Sequence, residues 1–269
     1  MFPGVSGRRL KQWLEQGRVR VNGAVVRRGD VVVELHDRVE LGAVPPAPIP
    51  EPLRLVHEDA HVVVVDKPPG LLTVADAAER ERTAYRLLRD WLKRRDAGRL
   101  FVVHRLDRDT SGLLVFARSA AARDALQAQF RARTPERVYV ARVEGVVRAD
   151  AGTLTSRLRE DRSLRVRPAR GGAGRDAITR YRVLERDRDT TLLELALVTG
   201  RRGQIRAQLA DLGHPIVGDR AYGSRRDPLR RLGLHATRLG FLHPDGRRVV
   251  FDSPPASGLR RRPVRPPGA

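Results

Sequence analysis

Short apolar runs and strict alternation outnumber helical spacings along the chain. In RRLKQWLEQG, residues 8–17, Leu10, Trp13 and Leu14 fall on one helical face, and Gly17 predicts the stop. RVRVNGAVV then sets two β-rich runs around Asn22-Gly23, the pair that favours a type I′ hairpin, and Gly29-Asp30 predicts a turn before VVVEL. LRLVHED and HVVVVDK read as paired strands, and the prolines of KPPGLLTV, residues 67–74, force a loop after them. Thr83 caps a helix over residues 83–96 that turns Leu87, Leu88, Trp91 and Leu92 inward. FVV (101–103) and LLVFA (113–117) are short strands. Ser119 caps the next helix, with Ala122, Ala125, Leu126, Gln129 and Phe130 at helical spacing. RVYVARVEG alternates as a strand. TRYRVLER and TTLLELALV form a hairpin about residues 187–189. GQIRAQLADLG places Ile205, Leu209 and Leu212 at i, i+4 and i+7 with Gly213 as the stop, and two strands around Pro-Asp-Gly close the pattern. The predicted class is α+β, a mostly antiparallel mixed sheet with flanking helices.

Composition divides this pattern into domains. Residues 43–52, AVPPAPIPEP, predict a stiff extended linker between a small unit, 1–42, and a large one, 53–255. A unit of that smaller size buries little apolar surface alone, which suits a binding appendage. Residues 256–269 read as a basic, disordered tail. Among 269 residues, 53 Lys and Arg face 32 Asp and Glu, a net charge of +21. A field of that sign attracts polyanions, nucleic acid first. Only Lys11, Lys67 and Lys93 are lysines; codon bias accounts for arginine over lysine but not for the excess over acids. The absence of Cys excludes disulfides and thiolate metal sites and fits a cytoplasmic setting. No secretory h-region is visible, and no apolar run is long enough to span a membrane.

Two polar knots carry candidate chemistry. HRLDRDTSGLLVFAR, residues 104–118, crowds His104, Arg105, Asp107, Arg108 and Thr110 ahead of Gly112 and an apolar strand. Such a knot is placed on a loop at a sheet edge, where a rigid scaffold can present reactive groups. Arg105 and Arg108 favour an ionised Asp107, which can then act as nucleophile or base; a salt-bridged turn reads equally well from these residues alone. In TGRRGQIR, residues 199–206, Thr199 and Gly200 can open a helix, Arg202 and Arg206 share one face, and Gln204 and Gln208 another. Arg206, at the core edge beside Ile205, can reach a carboxylate from another element. Tyr139 is one of four tyrosines, and a strand tyrosine is more often core than catalytic. No phosphate-binding glycine loop, nucleophile elbow or cluster of metal ligands is read.

HRLDRDTSGLLVFAR resembles the signature of the RluA-type RNA pseudouridine synthases. EDAHVVVVDKPPGLLT, RVYVARVEG, ITRYRVLE, LVTGRRGQIRAQLADLGHPIVGDRAYG and LHATRLGFLHP are similar to the family's other blocks, in order, over residues 52–255. The N-terminal unit resembles the RNA-binding fold of a ribosomal small-subunit protein, with its first helix clipped. The resemblance implies isomerisation of uridine to pseudouridine in RNA, ribosomal before transfer RNA, by a monomer without cofactor or metal. It implies Asp107 as the essential carboxylate, Arg206 as its partner, Tyr139 against the uracil, and Arg105 filling the space of the flipped nucleotide. His104, Thr110, Lys67, Arg201, Gln204 and Ile205 are implied as substrate contacts. Gly203 stands where the family usually carries His.

Overall fold

The computed structural model describes residues 6–15, 17–42, 48–76, 79–95, 98–161, 165–169, 174–255 and 259. Residues 43–47 of the proline-rich stretch and nearly all of the basic tail lie outside the described residues. The chain forms two compact units, Met1–Pro48 with Trp91–Ala97, and Ile49–Asp90 with Gly98–Ala269.

In the first unit, α1 (Gly7–Glu15) buries Trp13 and ends in a Schellman turn. Gly17, at φ +66°, donates to Leu14 O, and Arg18 donates to Trp13 O. β1 (Val19–Val21) and β2 (Ala24–Val26) pair across Asn22 and Gly23, both at positive φ as a type I′ turn requires. β3 (Val39–Leu41) pairs with the other side of β1. The apolar run at 31–35 joins no strand: Val31, Val32, Val33 and Leu35 are exposed.

β4 (Arg54–Glu58) and β5 (Val62–Lys67) are an antiparallel pair, followed by the looped 68–71 segment. α2 (Ala84–Arg94) is capped by Thr83, whose hydroxyl accepts from the Arg86 N–H. β6 (Phe101–Val102) leads through the 104–110 loop into β7 (Ser111–Ala117). α3 (Ala120–Ala132) is capped by Ser119; Ala125 is exposed, because the helix buries only a narrow stripe through Ala122 and Leu126. β8 (Glu136–Glu144), β9 (Ala151–Glu160), β10 (Val166–Pro168), β11 (Arg175–Arg186) and β12 (Thr190–Leu197) follow. After α4 (Gln204–Asp211), β13 (Leu234–Leu242) and β14 (Arg248–Asp252) close the unit.

Eleven strands make one mixed sheet in the order β10-β9-β11-β12-β8-β13-β7-β5-β4, with β14 on β13 and β6 on β7. All pairings are antiparallel except β7–β13. The polar loop therefore does not sit at a sheet edge. It feeds an interior strand, and all of β7 is buried. Gly112 allows that placement: at φ +114° it approaches β13 so closely that a Cβ would overlap the Ala236 backbone. Val62, Val64, Leu113, Val115, Leu126 and Phe241 belong to one buried apolar cluster of the core.

α4 begins at Gln204, with Gly203 as N-cap, later than Thr199-Gly200 would open it. Arg202 thus precedes the helix and pairs with Glu160 rather than sharing a face with Arg206. Leu212 is the C-cap and is exposed, because the helix ends one residue earlier. Gly213, at φ +86°, and the bond from His214 N–H to Leu209 O complete a second Schellman turn. Gln204 and Gln208 are both buried against β9, β11 and the residues flanking them.

Candidate active site

Two buried polar side chains set the backbone around Asp107. Thr73 Oγ1 donates to Leu106 O at 2.9 Å and accepts from Leu106 N–H at 3.1 Å. Lys67 Nζ donates to Arg108 O, Pro68 O and Leu71 O at 2.9, 2.9 and 2.7 Å. The residues on either side of Asp107 are therefore bolted to the loop after β5. This corrects the placement of Lys67 against substrate, since it is fully buried and all three of its protons are engaged by carbonyls. Burial, partly offset by Asp109 and Asp107, brings the Lys67 pKa down to about 7.

The Asp107 side chain keeps 22% of its surface exposed, facing a cavity of about 490 Å³. That volume suits one nucleoside. Asp107 is the only acidic residue among the lining side chains; arginines supply much of the rest. Arg206 Nη1 lies 3.6 Å from Asp107 Oδ2. Its Nε and Nη2 bind Asp219 bidentately at 2.7 and 2.8 Å, and the guanidinium lies over the Tyr222 ring. Burial works against the charge on Arg206, but Asp219 and then Asp107 more than offset it and hold its pKa above the ordinary value. The sequence neighbours do not do this work. Arg108 turns to Asp76, 3.6 Å away, and Arg105 is exposed without an ion-pair partner among the described residues.

His104, Arg105, Thr110, Tyr139, Arg201, Gln204, Ile205 and Arg206 join Asp107 around the cavity, so Lys67 alone of the expected residues is left out. Tyr139 is both buried and a wall of the cavity, and burial pushes its phenol up to about 12. It is a neutral hydroxyl near pH 7. His104 stacks on Phe130 with ring centroids 4.5 Å apart, and its Nε2 accepts from Val115 N–H. Burial, with help from Arg137, lowers its pKa to about 3, so it is neutral near pH 7. Gln204 lines the cavity but is held elsewhere. Its oxygen accepts from Thr199 and Arg201, and its amide donates to Ile178 O and Thr179. It shapes the wall rather than offering a free group, a second correction. Gly203 sits at φ +58°, where a Cβ would press on Tyr222 Oη.

Sequence reading missed Thr73, Phe130, Arg137 and Asp219. Arg137 was within reach, because strand period two puts it on the face of Tyr139. Asp219 was inside a quoted block but carried no sign of its partner. His57 and His61 also have a spacing that metal sites use on helices. Here they flank a β-turn, with His57 Nε2 at 2.7 Å from Asp59. No group of three or more ligating side chains among the described residues could hold a metal. No helix among them is long and apolar enough to cross a membrane.

Residues 61–211 match the RNA pseudouridylate synthase family, and residues 1–39 match the S4 domain. Ribosomal large subunit pseudouridine synthase D of Xylella fastidiosa is 37% identical over 270 residues, covering 91% of this chain and 79% of its own. The protein of the same name from Pseudomonas aeruginosa is 38% identical over 275 residues, covering 94% and 85%. Human RNA pseudouridylate synthase domain containing 1 shares the fold at a TM-score of 0.64 and 24% identity, over 78% of this chain and 86% of that one.

Proposed function

Because this chain belongs to the RNA pseudouridylate synthase family, we propose that it isomerises a specific uridine of large-subunit ribosomal RNA through Asp107, Arg206 and Tyr139. The enzyme is an isomerase of RNA uridine. The names of the Xylella and Pseudomonas relatives support ribosomal over transfer RNA. We place its work, as a monomer, in the cytoplasm.

The observation that carries the reading is a single carboxylate, lining a nucleoside-sized cavity beside a half-buried arginine. Uridine becomes pseudouridine when the bond from C1′ to N1 breaks, the uracil turns, and C1′ bonds to C5. C5 then loses its proton and N1 gains one, so atoms balance without a co-reactant. Asp107 serves either by attacking C1′ or by taking the 2′ proton; both need an ionised carboxylate at the sugar. Arg206 aims it, and Asp219 keeps Arg206 from collapsing onto it. A preorganised pair in a half-dry cavity stabilises developing charge better than water does. Tyr139 supplies a flat, neutral surface for the uracil. Arg105, exposed at the rim, is free to enter the space left by the flipped base, offsetting part of the few kcal/mol of unstacking.

Pseudouridine mapping of total RNA from cells with and without the gene tests this. One or a few sites should vanish and return with the wild-type chain but not with Asp107→Asn. That variant should bind the mapped RNA within severalfold of wild type. Restoration by Asp107→Asn, or release of free uracil in place of a mass-neutral product, would overturn the assignment.

A further inference from the structure

Arg137 stands on β8 two residues before Tyr139, so both side chains face the cavity. Its guanidinium lies 5.8 Å from the centroid of the Phe130 ring, the same ring that stacks on His104. It also packs against Gly200, where any Cβ would overlap Nη1. Nε and Nη2 are buried, yet neither has a hydrogen-bond partner among the described residues. Burial lowers its pKa; Tyr139 opposes that shift and Arg133 adds to it. The contrast with the buried Arg142 is sharp: that residue has Asp187, Thr190 and the Leu259 carbonyl. A desolvated guanidinium with unanswered donors is unfavourable and persists where a ligand completes it. Asp107 cannot do so, since Arg206 already holds it. Arg131 and Arg133, lining the same cavity at the end of α3, add positive charge around it.

We propose that Arg137 is a phosphate-binding residue. It receives the phosphodiester beside the flipped uridine on the Tyr139 side of the cavity, while Asp107 addresses the sugar. The proposal rests on the isomerase reading. Phosphate is favoured over a uracil carbonyl because an anion neutralises a half-buried cation and a carbonyl does not.

The test uses the full chain, single-turnover assays and a short synthetic RNA carrying the mapped uridine. Arg137→Gln should raise the half-saturating concentration about tenfold in ~0.1 M salt. It should also reduce the slope of log affinity against log salt by about 0.7–0.9, with the maximal rate changed less than about threefold. Arg137→Lys should keep the slope and lose part of the affinity. A single methylphosphonate at the phosphate concerned should weaken wild type by a similar factor and Arg137→Gln hardly at all. Losses that multiply at both flanking phosphates, or an unchanged slope, overturn the proposal. So does a loss confined to the maximal rate, which would assign Arg137 to the base. A wild-type chain that forms no pseudouridine overturns the isomerase reading itself.

Discussion

Asp107 depends on a carboxylate placed behind its partner. Asp219 is 1% exposed and fixes two of the three guanidinium nitrogens of Arg206, leaving Nη1 as the contact to Asp107. Asp219→Asn removes a charge that Arg206 needs, so Arg206 should swing fully onto Asp107 and draw it from the sugar. Misplacement of that size is expected to lower kcat about 100-fold with KM little changed, as steady-state assays will read. An equal loss in RNA affinity would count against this division. His104 supplies a second residue-scale expectation. Its folded pKa, about 3, is below its unfolded value near 6.5, so the unfolded chain binds the proton first. Its contribution to stability is present above pH 6.5 and lost as pH falls toward 3. His104→Phe, which keeps the stack on Phe130, should flatten that acid limb in urea midpoints measured across the range.

At the scale of elements, the site is two loops pinned together. Lys67 ends β5, and Thr73 lies on the loop after it; together they hold the backbone on both sides of Asp107. Lys67→Met takes the donor from one buried and two part-buried carbonyls, the buried loss worth about 1–3 kcal/mol and the others less. It should therefore lower both thermal stability and kcat, whereas a lysine that merely touched RNA would chiefly change affinity. The pH dependence adds a check. The folded pKa of Lys67 is about 7 against 10.5, so the unfolded chain binds more protons between those values. Stability should rise with pH across that window, and Lys67→Met should remove that rise. These loops show what the chain made legible. His104, Asp107 and Thr110 lie on one short segment, and Gln204, Ile205 and Arg206 on another; that the two segments share a cavity was implied by the family resemblance and not by the residues alone. The hairpins and both glycine-stopped helices, α1 and α4, also followed, because turn chemistry and caps are local. What escaped was non-local: that β7 is interior, that Asp219 holds Arg206, that Arg108 leaves Asp107 for Asp76. Charge adjacency along a sequence does not say which ion pair wins once the sheet has formed. Leu212 failed for a smaller reason, since periodicity cannot see a helix ending one residue earlier.

For the whole molecule, a net charge of +21 must act over distances that no single pairing describes. In the second unit many arginines are already answered, as Arg182 is by Glu194 and Arg238 by Asp252. The S4-matching unit presents Arg8, Lys11 and Arg20 on exposed positions. Phosphates that meet such side chains release counterions, so each contact steepens the salt dependence of binding by about 0.7–0.9. Changing Arg8, Lys11 and Arg20 together to Gln should flatten the slope of log affinity against log salt by up to about 2–3 if all three reach the backbone of the RNA. The maximal rate at saturating RNA should stay within about twofold, because the reacting groups belong to the other unit. Filter binding at several salt concentrations, paired with single-turnover rates, separates the two readouts. An unchanged slope would mean that Arg8, Lys11 and Arg20 do not meet RNA phosphates. A lowered maximal rate at saturation would mean instead that it helps set the uridine over Asp107.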